Sequence, residues 1–190
     1  MAHSWGYAEH NGPNHWHTLF PVADGDFQSP IDIRTKEATF DATLQPLTVN
    51  YDSSSAQKLH NNGQSFNIEF DDSQDKSVLS GGPLPGVYRL KQMHMHWGSS
   101  DDHGSEHTVD GRTSSTELHL GHWNAKYGSF DEASKHKNGF GVIALFLEVG
   151  DTNPGLQKVI DALSLIPNKG KQINFTDYDP SVLLPRSLDY

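Results

Sequence analysis

Short segments with a period of two constrain the fold of this 190-residue chain more than any other feature. Residues 65–70 alternate strictly, so that Phe and Ile occupy one face and Ser, Asn and Glu the other, as in a half-buried β-strand. Residues 87–97 and 116–123 are also predicted strands, joined by a polar loop. Residues 141–149 are apolar except for Glu148, which predicts a strand buried on both faces for most of its length.

Helices are predicted only at the margin of this sheet. The chain has 17 Gly and 10 Pro, which favours many turns over long helices. The clearest helix covers residues 154–165, where Asn153 can cap the N-terminus and Pro154 suits the first helical position. A shorter helix is predicted near residues 130–135. We therefore expect a β-dominated α+β fold forming a single domain over residues 1–190.

Composition excludes several classes of function. The net charge of −10 disfavours nucleic acid and anionic membrane surfaces as partners, because both bind clustered Lys and Arg. The absence of cysteine excludes disulfides, thiolate metal ligands and a cysteine nucleophile. The first residues lack the pattern of a secretory signal, and the longest apolar run, residues 142–147, is too short to span a bilayer. A cytoplasmic protein is expected.

Two histidines in one predicted strand indicate a metal site. In the segment Gln92-Met93-His94-Met95-His96-Trp97, Gln92, His94 and His96 share a face. Two imidazoles whose Cα atoms are roughly 6.5–7 Å apart can reach one ion at about 2.0–2.1 Å from each nitrogen. With 12 histidines in the chain, a His-x-His pair without function remains the alternative.

A second predicted strand strengthens the metal interpretation. Glu117 and His119 share a face there, and if the two strands pair, His119 becomes a third ligand. Three histidines leave a fourth tetrahedral position for water, which is the catalytic rather than the structural zinc arrangement. Gln92 and Glu117 each precede a ligand by two residues, and they can accept hydrogen bonds from the far ring nitrogens.

The order of motifs along the chain identifies a family. The chain resembles the cytosolic α-carbonic anhydrases along essentially its whole length. The motifs that carry the resemblance are, in order, Ser4-Trp5-Gly6-Tyr7, Asn11-Gly12-Pro13, Gln28-Ser29-Pro30-Ile31, Asn61-Asn62-Gly63, Gly81-Gly82-Pro83-Leu84, Gly104-Ser105-Glu106-His107-Thr108-Val109-Asp110 and Glu117-Leu118-His119.

The resemblance implies both a fold and a reaction. The fold is a large twisted, mostly antiparallel central sheet with short peripheral helices and with Zn²⁺ at the bottom of a conical cleft. The reaction is the reversible hydration of CO₂ to bicarbonate and a proton, by attack of zinc-bound hydroxide, in a monomer that sulfonamides and anions inhibit. His94, His96 and His119 match the zinc ligands, and Gln92 and Glu117 match the residues behind them.

The resemblance also assigns the surroundings of the metal. Glu106 matches a catalytic acid that orients a gatekeeping threonine, and His107 matches a buried hydrogen-bonding histidine beside it. The positions that match the substrate cleft are Tyr7 at an ordered-water contact, Asn62 and Asn67 on the polar side, and Phe130 and Val142 on the wall.

Two positions depart from the family pattern. Gln64 stands where the fastest members carry a proton-shuttling histidine, and an amide does not titrate near neutral pH, so we expect turnover to be limited by proton transfer. His60 is expected to be an exposed turn histidine, with a substitute proton carrier as the alternative. Gly121 stands where valine is usual in the CO₂ pocket, and we expect a larger pocket there.

The family continues for roughly another quarter of its length beyond Tyr190, so the sequence is expected to lack the gatekeeping threonine and part of the CO₂ pocket. The leading hypothesis is therefore a zinc lyase. The alternatives are a non-catalytic zinc-binding or interaction version of the same fold and, as a weaker option, an esterase-like side activity.

Overall fold

The computed structural model describes residues 4–188 and residue 190, and a single large sheet dominates it. Eight strands of the described residues form that sheet, and two more form a small parallel pair. The strands are β1 Asp32–Ile33, β2 Leu47–Asn50, β3 Ala56–Asn61, β4 Phe66–Phe70, β5 Val78–Gly81, β6 Tyr88–Trp97, β7 Thr108–Val109, β8 Thr116–Asn124, β9 Phe140–Leu147 and β10 Gln172–Asn174.

Strand β6 is the centre of the sheet. Its middle, residues 92–94, lies between β4 and β8, which gives the order β10-β3-β4-β6-β8-β9. Its N-terminal residues 88–89 pair with β5, which pairs in turn with β2. Every pair in this sheet is antiparallel. The expected β-dominated fold with a mostly antiparallel central sheet is confirmed.

The hydrophobic core lies on one face of this sheet. The alternation in β4 buries Phe66, Ile68 and Phe70, as the sequence predicts. The helix α2, Pro154–Leu163, packs against the same core through the fully buried Val159. Its N-terminus is capped by Asn153, whose side chain accepts hydrogen bonds from two backbone N–H groups. The opposite face, called the polar face below, carries polar side chains on β4, β6 and β8 and apolar ones on β9.

A β-bulge in β6 sets which side chains reach that polar face. The register with β8 shifts between Leu90 and Gln92, so one extra residue stands on the β6 side. Leu90 and Met93, three positions apart, are consequently both buried in the core. From Gln92 onward the normal alternation sends Gln92, His94 and His96 to the polar face. The sequence predicts the alternation but not the bulge.

The prediction that residues 141–149 are buried on both faces is wrong. In β9 alternate residues are exposed, with Val142 at 57% and Phe146 at 40%. Both side chains lie on the polar face, where their exposure shows that described residues do not bury them. An apolar sequence cannot show which face of its strand is covered.

Helix ends also differ from the predictions. The helix predicted over residues 154–165 ends at Leu163, and the one predicted near residues 130–135 is a single turn, α1 Phe130–Ala133. The loop between β6 and β8 contains the short strand β7, which pairs with β1. None of the helices in the described part of the chain is long and apolar enough to cross a bilayer.

Candidate metal centre

Strand pairing brings three histidines together on the polar face. His94 and His119 are direct cross-strand partners on β6 and β8, and His96 follows His94 by two residues on the same face. The ring centroids lie 4.8 Å apart for His94 and His96, 5.0 Å for His94 and His119, and 4.8 Å for His96 and His119. The three imidazoles therefore converge on one point.

Gln92 fixes the orientation of the His94 ring. Nδ1 of His94 lies 2.8 Å from Oε1 of Gln92, which can only accept, so Nδ1 carries the proton. Nε2 of His94 is then the nitrogen with a free lone pair, and it lies 2.9 Å from Nε2 of His96. Gln92 reaches the ring because both residues are on the polar face of β6.

Glu117 fixes the orientation of His119 in the same way. Its side chain has no exposed surface, and its Oε1 accepts a hydrogen bond from Nε2 of His119 at 2.6 Å and one from Nδ1 of His107 at 2.7 Å. Its Oε2 accepts from the backbone N–H groups of Glu106 and His107 at 2.9 and 2.8 Å. Four donors therefore surround a buried carboxylate, and Nδ1 of His119 faces the other two histidines.

The protonation states follow from these contacts. Burial raises the pKa of Glu117, but the hydrogen bonds from His119 and His107 lower it by more, so its pKa is about 2. Burial, together with the neighbouring His96 and His119, lowers the pKa of His94 to about 4. Burial also lowers the pKa of His96, against the opposing charge of Glu106. Neutral imidazoles and a charged carboxylate behind them result.

This donor set fits zinc. The ligand atoms of His94, His96 and His119 all lie within 4.8 Å of one another, and two nitrogens bound tetrahedrally to zinc would be about 3.3 Å apart. Metal ligands must be deprotonated at the binding nitrogen, which the low pKa of His94 and the tautomer of His119 both satisfy. His107, Glu117 and His119 form a second close group, but both Glu117 oxygens there are occupied by N–H donors.

Glu106 and His107 lie beside the histidines. Oε2 of Glu106 is 3.3 Å from Nε2 of His96 and 4.0 Å from Nε2 of His119. His107 is half-buried rather than buried, and it donates to Glu117 as described above. The role that the resemblance gives to Glu106, the orientation of a threonine, stays a prediction.

A cavity of about 250 Å³ adjoins the histidines on the β4 side. Of the residues expected in the substrate cleft, Tyr7, Asn62 and Asn67 line it, together with Gln64. The Asn62 side chain also accepts hydrogen bonds from the backbone N–H groups of Gln64 and Ser65, so it shapes the turn that carries Gln64. The polar side of the expected cleft is thus assembled in one place.

Gly121 does not leave the open space that was expected. It lies on β8 between Gln92 and Val142, on the polar face. A Cβ atom added there would stand 2.9 Å from Nε2 of Gln92. The amide that orients His94 therefore occupies the space next to this glycine, so the expectation of a simple enlargement of the pocket is wrong.

Phe130 and Val142 lie further from the histidines. Phe130 begins α1 and stacks on Phe140 with ring centroids 4.9 Å apart. Val142 is the cross-strand partner of Gly121 and projects from the polar face of β9. Neither lines the 250 Å³ cavity, so the apolar wall stands apart from the polar one.

His60 is not the exposed turn histidine that was expected. It lies within β3, and its side chain is only 24% exposed. Nδ1 of His60 is 3.2 Å from Oε1 of Glu69, and Oε2 of Glu69 is 3.0 Å from Nζ of Lys58. The alternation of β4 places Glu69 on the polar face in the sequence, but its link to His60 depends on the β3–β4 register.

Comparison with known proteins agrees with this geometry. The sequence model of the eukaryotic-type carbonic anhydrase family matches residues 11–190. The chain is 55% identical over all 190 residues to "Carbonic anhydrase 3" of Homo sapiens, and 54% identical to the proteins of the same name from Sus scrofa and Mus musculus. It covers 73% of the length of each of these relatives. The chain belongs to the family of eukaryotic-type carbonic anhydrases.

Proposed function

We propose that this chain catalyses the reversible hydration of CO₂ to bicarbonate and a proton, with Zn²⁺ as its cofactor. The observation that carries the proposal is the convergence of His94, His96 and His119, with ring centroids 4.8–5.0 Å apart. Three histidine nitrogen donors leave one tetrahedral position for the reactants, which is the arrangement of a catalytic rather than a structural zinc site.

The three histidines would hold the metal through Nε2 of His94, Nε2 of His96 and Nδ1 of His119. When bound, zinc supplies a Lewis acid that makes water nucleophilic at neutral pH, as is established for carbonic anhydrases. The chain holds the ligand rings in position. Gln92 and Glu117 hold two of the rings by their far nitrogens, so that little freedom is lost when the ligands bind.

The carboxylates set the electrostatics of the site. Glu117 is charged at neutral pH, since its pKa is about 2, and it accepts a charge-assisted hydrogen bond from Nε2 of His119. Glu106 brings a second acceptor to within 3.3 Å of the His96 ring. We assign Glu106 the role of orienting a hydroxyl group or water next to the metal, because its backbone is anchored to Glu117.

The cleft would bind its reactants between two different walls. Asn62, Gln64 and Asn67 give a polar wall beside His94 and His96, where water and anions can be hydrogen-bonded. Gly121 and Val142 give an apolar side on β8 and β9, suited to CO₂. Anions and sulfonamides would compete at the same position. The monomeric state and cytoplasmic location expected from the sequence stay part of the proposal.

Zinc content and CO₂ hydration test this function together. The purified protein is loaded with zinc, its metal content is measured, and hydration is followed by stopped flow with and without a sulfonamide. We expect one zinc per chain and sulfonamide-sensitive hydration. His119→Gln should lose both, whereas His103→Gln, which changes a loop histidine with 72% side-chain exposure, should lose neither.

The two alternatives give different results in that experiment. One zinc per chain without sulfonamide-sensitive hydration would favour the non-catalytic zinc-binding version of the fold. A chain that folds but takes up no zinc would contradict both. Ester hydrolysis that proceeds while CO₂ hydration is absent would favour the esterase-like activity.

A further inference from the structure

The proposed reaction needs a route for a proton. Hydration of CO₂ consumes one water and releases bicarbonate and one proton in every turnover, so a base must accept that proton. Apart from the proposed ligands, Tyr7 is the one titratable side chain that lines the 250 Å³ cavity, and Gln64 on its rim is an amide. Glu106, whose Oε2 lies 3.3 Å from Nε2 of His96, is assigned above to orientation, so the base is to be sought in the next layer of side chains or in buffer.

His60 lies in that next layer on the correct face. It is the cross-strand partner of Asn67, and Asn67 is the cross-strand partner of His94. Directly paired residues of an antiparallel sheet project to the same side, so His60 stands in one row with the metal centre. Two strand spacings separate it from His94, about 10 Å, which about three hydrogen-bonded waters can bridge.

The two nitrogens of His60 have different surroundings. Nδ1 is buried and lies 3.2 Å from Oε1 of Glu69, but the ring N–H is not aligned for a hydrogen bond, so the contact is a charge contact only. Nε2 makes no hydrogen bond to a described residue, and it is not buried. Water therefore reaches the ring at Nε2, the side from which a proton can be taken up or released.

The charges around His60 come from its own strand and from β4. Glu69 on β4 is shared between His60 and Lys58, whose Nζ lies 3.0 Å from Oε2. On the other side β10 presents Gln172, a neutral residue, as the cross-strand partner of His60. A proton on the imidazole is thus placed beside a carboxylate, and that carboxylate is held in position by a lysine.

We propose that His60 is the proton carrier of this chain. The proton released in CO₂ hydration passes along waters of the cavity to Nε2 of His60, which becomes an imidazolium, and then to a buffer base in solution. In the reverse reaction the same groups supply the proton. Imidazole suits this role because its charge changes between pH 5 and 8. The inference rests on the proposed function.

Kinetics of the zinc-loaded protein test the proposal. Turnover at saturating CO₂ is measured in weak and in strong buffer, and the interconversion of CO₂ and bicarbonate is measured separately by loss of ¹⁸O label. His60→Gln should lower turnover in weak buffer about tenfold or more, leave kcat/KM unchanged and be rescued by added imidazole. The matched control His103→Gln, in an exposed loop, should change none of these.

A second measurement does not depend on activity. In ¹⁵N-histidine NMR spectra of the zinc-loaded protein, His60 should change protonation at the pH where turnover in weak buffer changes. Glu69→Gln should shift both midpoints together. Equal turnover of His60→Gln and wild type in weak buffer, or a His60 ring that does not titrate between pH 5 and 9, would overturn the assignment. An inactive wild type in the ¹⁸O experiment would instead refute the proposed function, and the inference with it.

Discussion

Replacing Glu117 by Gln tests whether the carboxylate behind His119 controls the metal site. The substitution keeps the shape of the side chain but turns one acceptor oxygen into an NH₂ donor. Oε2 accepts from two backbone N–H groups, which cannot become acceptors. The amide must therefore keep its oxygen there and place its NH₂ group at the position of Oε1, opposite the rings of His107 and His119.

The substitution is expected to change the tautomer of His119. To accept from the new NH₂ group, Nε2 must lose its proton, and the proton then resides on Nδ1, the nitrogen that faces His94 and His96. Zinc binding to the variant has to displace that proton, and the bound ring then lacks the charge-assisted bond of 2.6 Å that it has in the wild type. Such a bond contributes about 1.5–3 kcal/mol. At about 1.4 kcal/mol per factor of ten, zinc affinity should fall about 10- to 100-fold.

Competition with a chelator measures this loss directly. Zinc Kd is determined for wild type, Glu117→Gln and the control Glu132→Gln, which removes an exposed carboxylate in α1. Thermal unfolding of the same proteins without zinc shows whether the fold is intact, and Glu117→Gln should stay folded because the amide oxygen still accepts from the two backbone N–H groups and the NH₂ group can donate to both rings in their other tautomers. A zinc affinity within threefold of wild type, in a folded variant, would refute the reasoning.

Three further predictions concern neighbouring positions. Gly121→Ala should change zinc affinity in a chelator titration by no more than about threefold, because its Cβ would stand 2.9 Å from the end of the flexible Gln92 side chain, which can shift, and Gly150→Ala, whose Cβ meets nothing within 4 Å, is the control. Burial lowers the pKa of His122 to about 4 in the folded protein. The contribution of neutral His122 to the free energy of unfolding is therefore complete above the pKa of histidine in the unfolded chain, and about 3 kcal/mol of it is lost between pH 7 and pH 4. Urea unfolding should show that acid dependence in wild type and a weaker one in His122→Gln. Leu59→Ala should cost about 2–5 kcal/mol in urea unfolding at pH 7, since the fully buried side chain leaves a cavity, and a loss below 1 kcal/mol would contradict this placement of the core.

The sequence predicts the parts of the site that depend on local alternation. Because His94 and His96 are two residues apart in a strand, their common face follows from backbone geometry alone. The same rule places Glu117 beside His119. Pairing of β6 with β8 then supplies the third histidine, His119. This pairing is expected because both strands carry polar side chains on one face.

Features that depend on long-range register could not be predicted. Whether His60 meets solvent or Glu69 depends on which residues of β3 and β4 are opposite, and the register shift near Ala56 is not visible in the residue pattern. The bulge before Gln92 is a second example, since Leu90 and Met93 are both apolar and the residue pattern does not show where the alternation shifts by one residue. The exposure of Val142 is a third, because whether a face of the sheet is covered depends on the packing of distant parts of the chain.

The three histidines are not held equally, and this has a consequence for how the site forms. His94 is tied to Gln92, and His119 is tied to a carboxylate that is itself anchored by backbone N–H groups. Among the described residues His96 has no comparable acceptor on its Nδ1, and its Nε2 faces both His94 and Glu106. Neighbouring side chains on β6 and β8 therefore fix the orientation of the His94 and His119 rings, whereas the orientation of His96 depends on the groups around its Nε2. In a zinc-loaded protein the ordering of His96 should be the step that responds most to the metal.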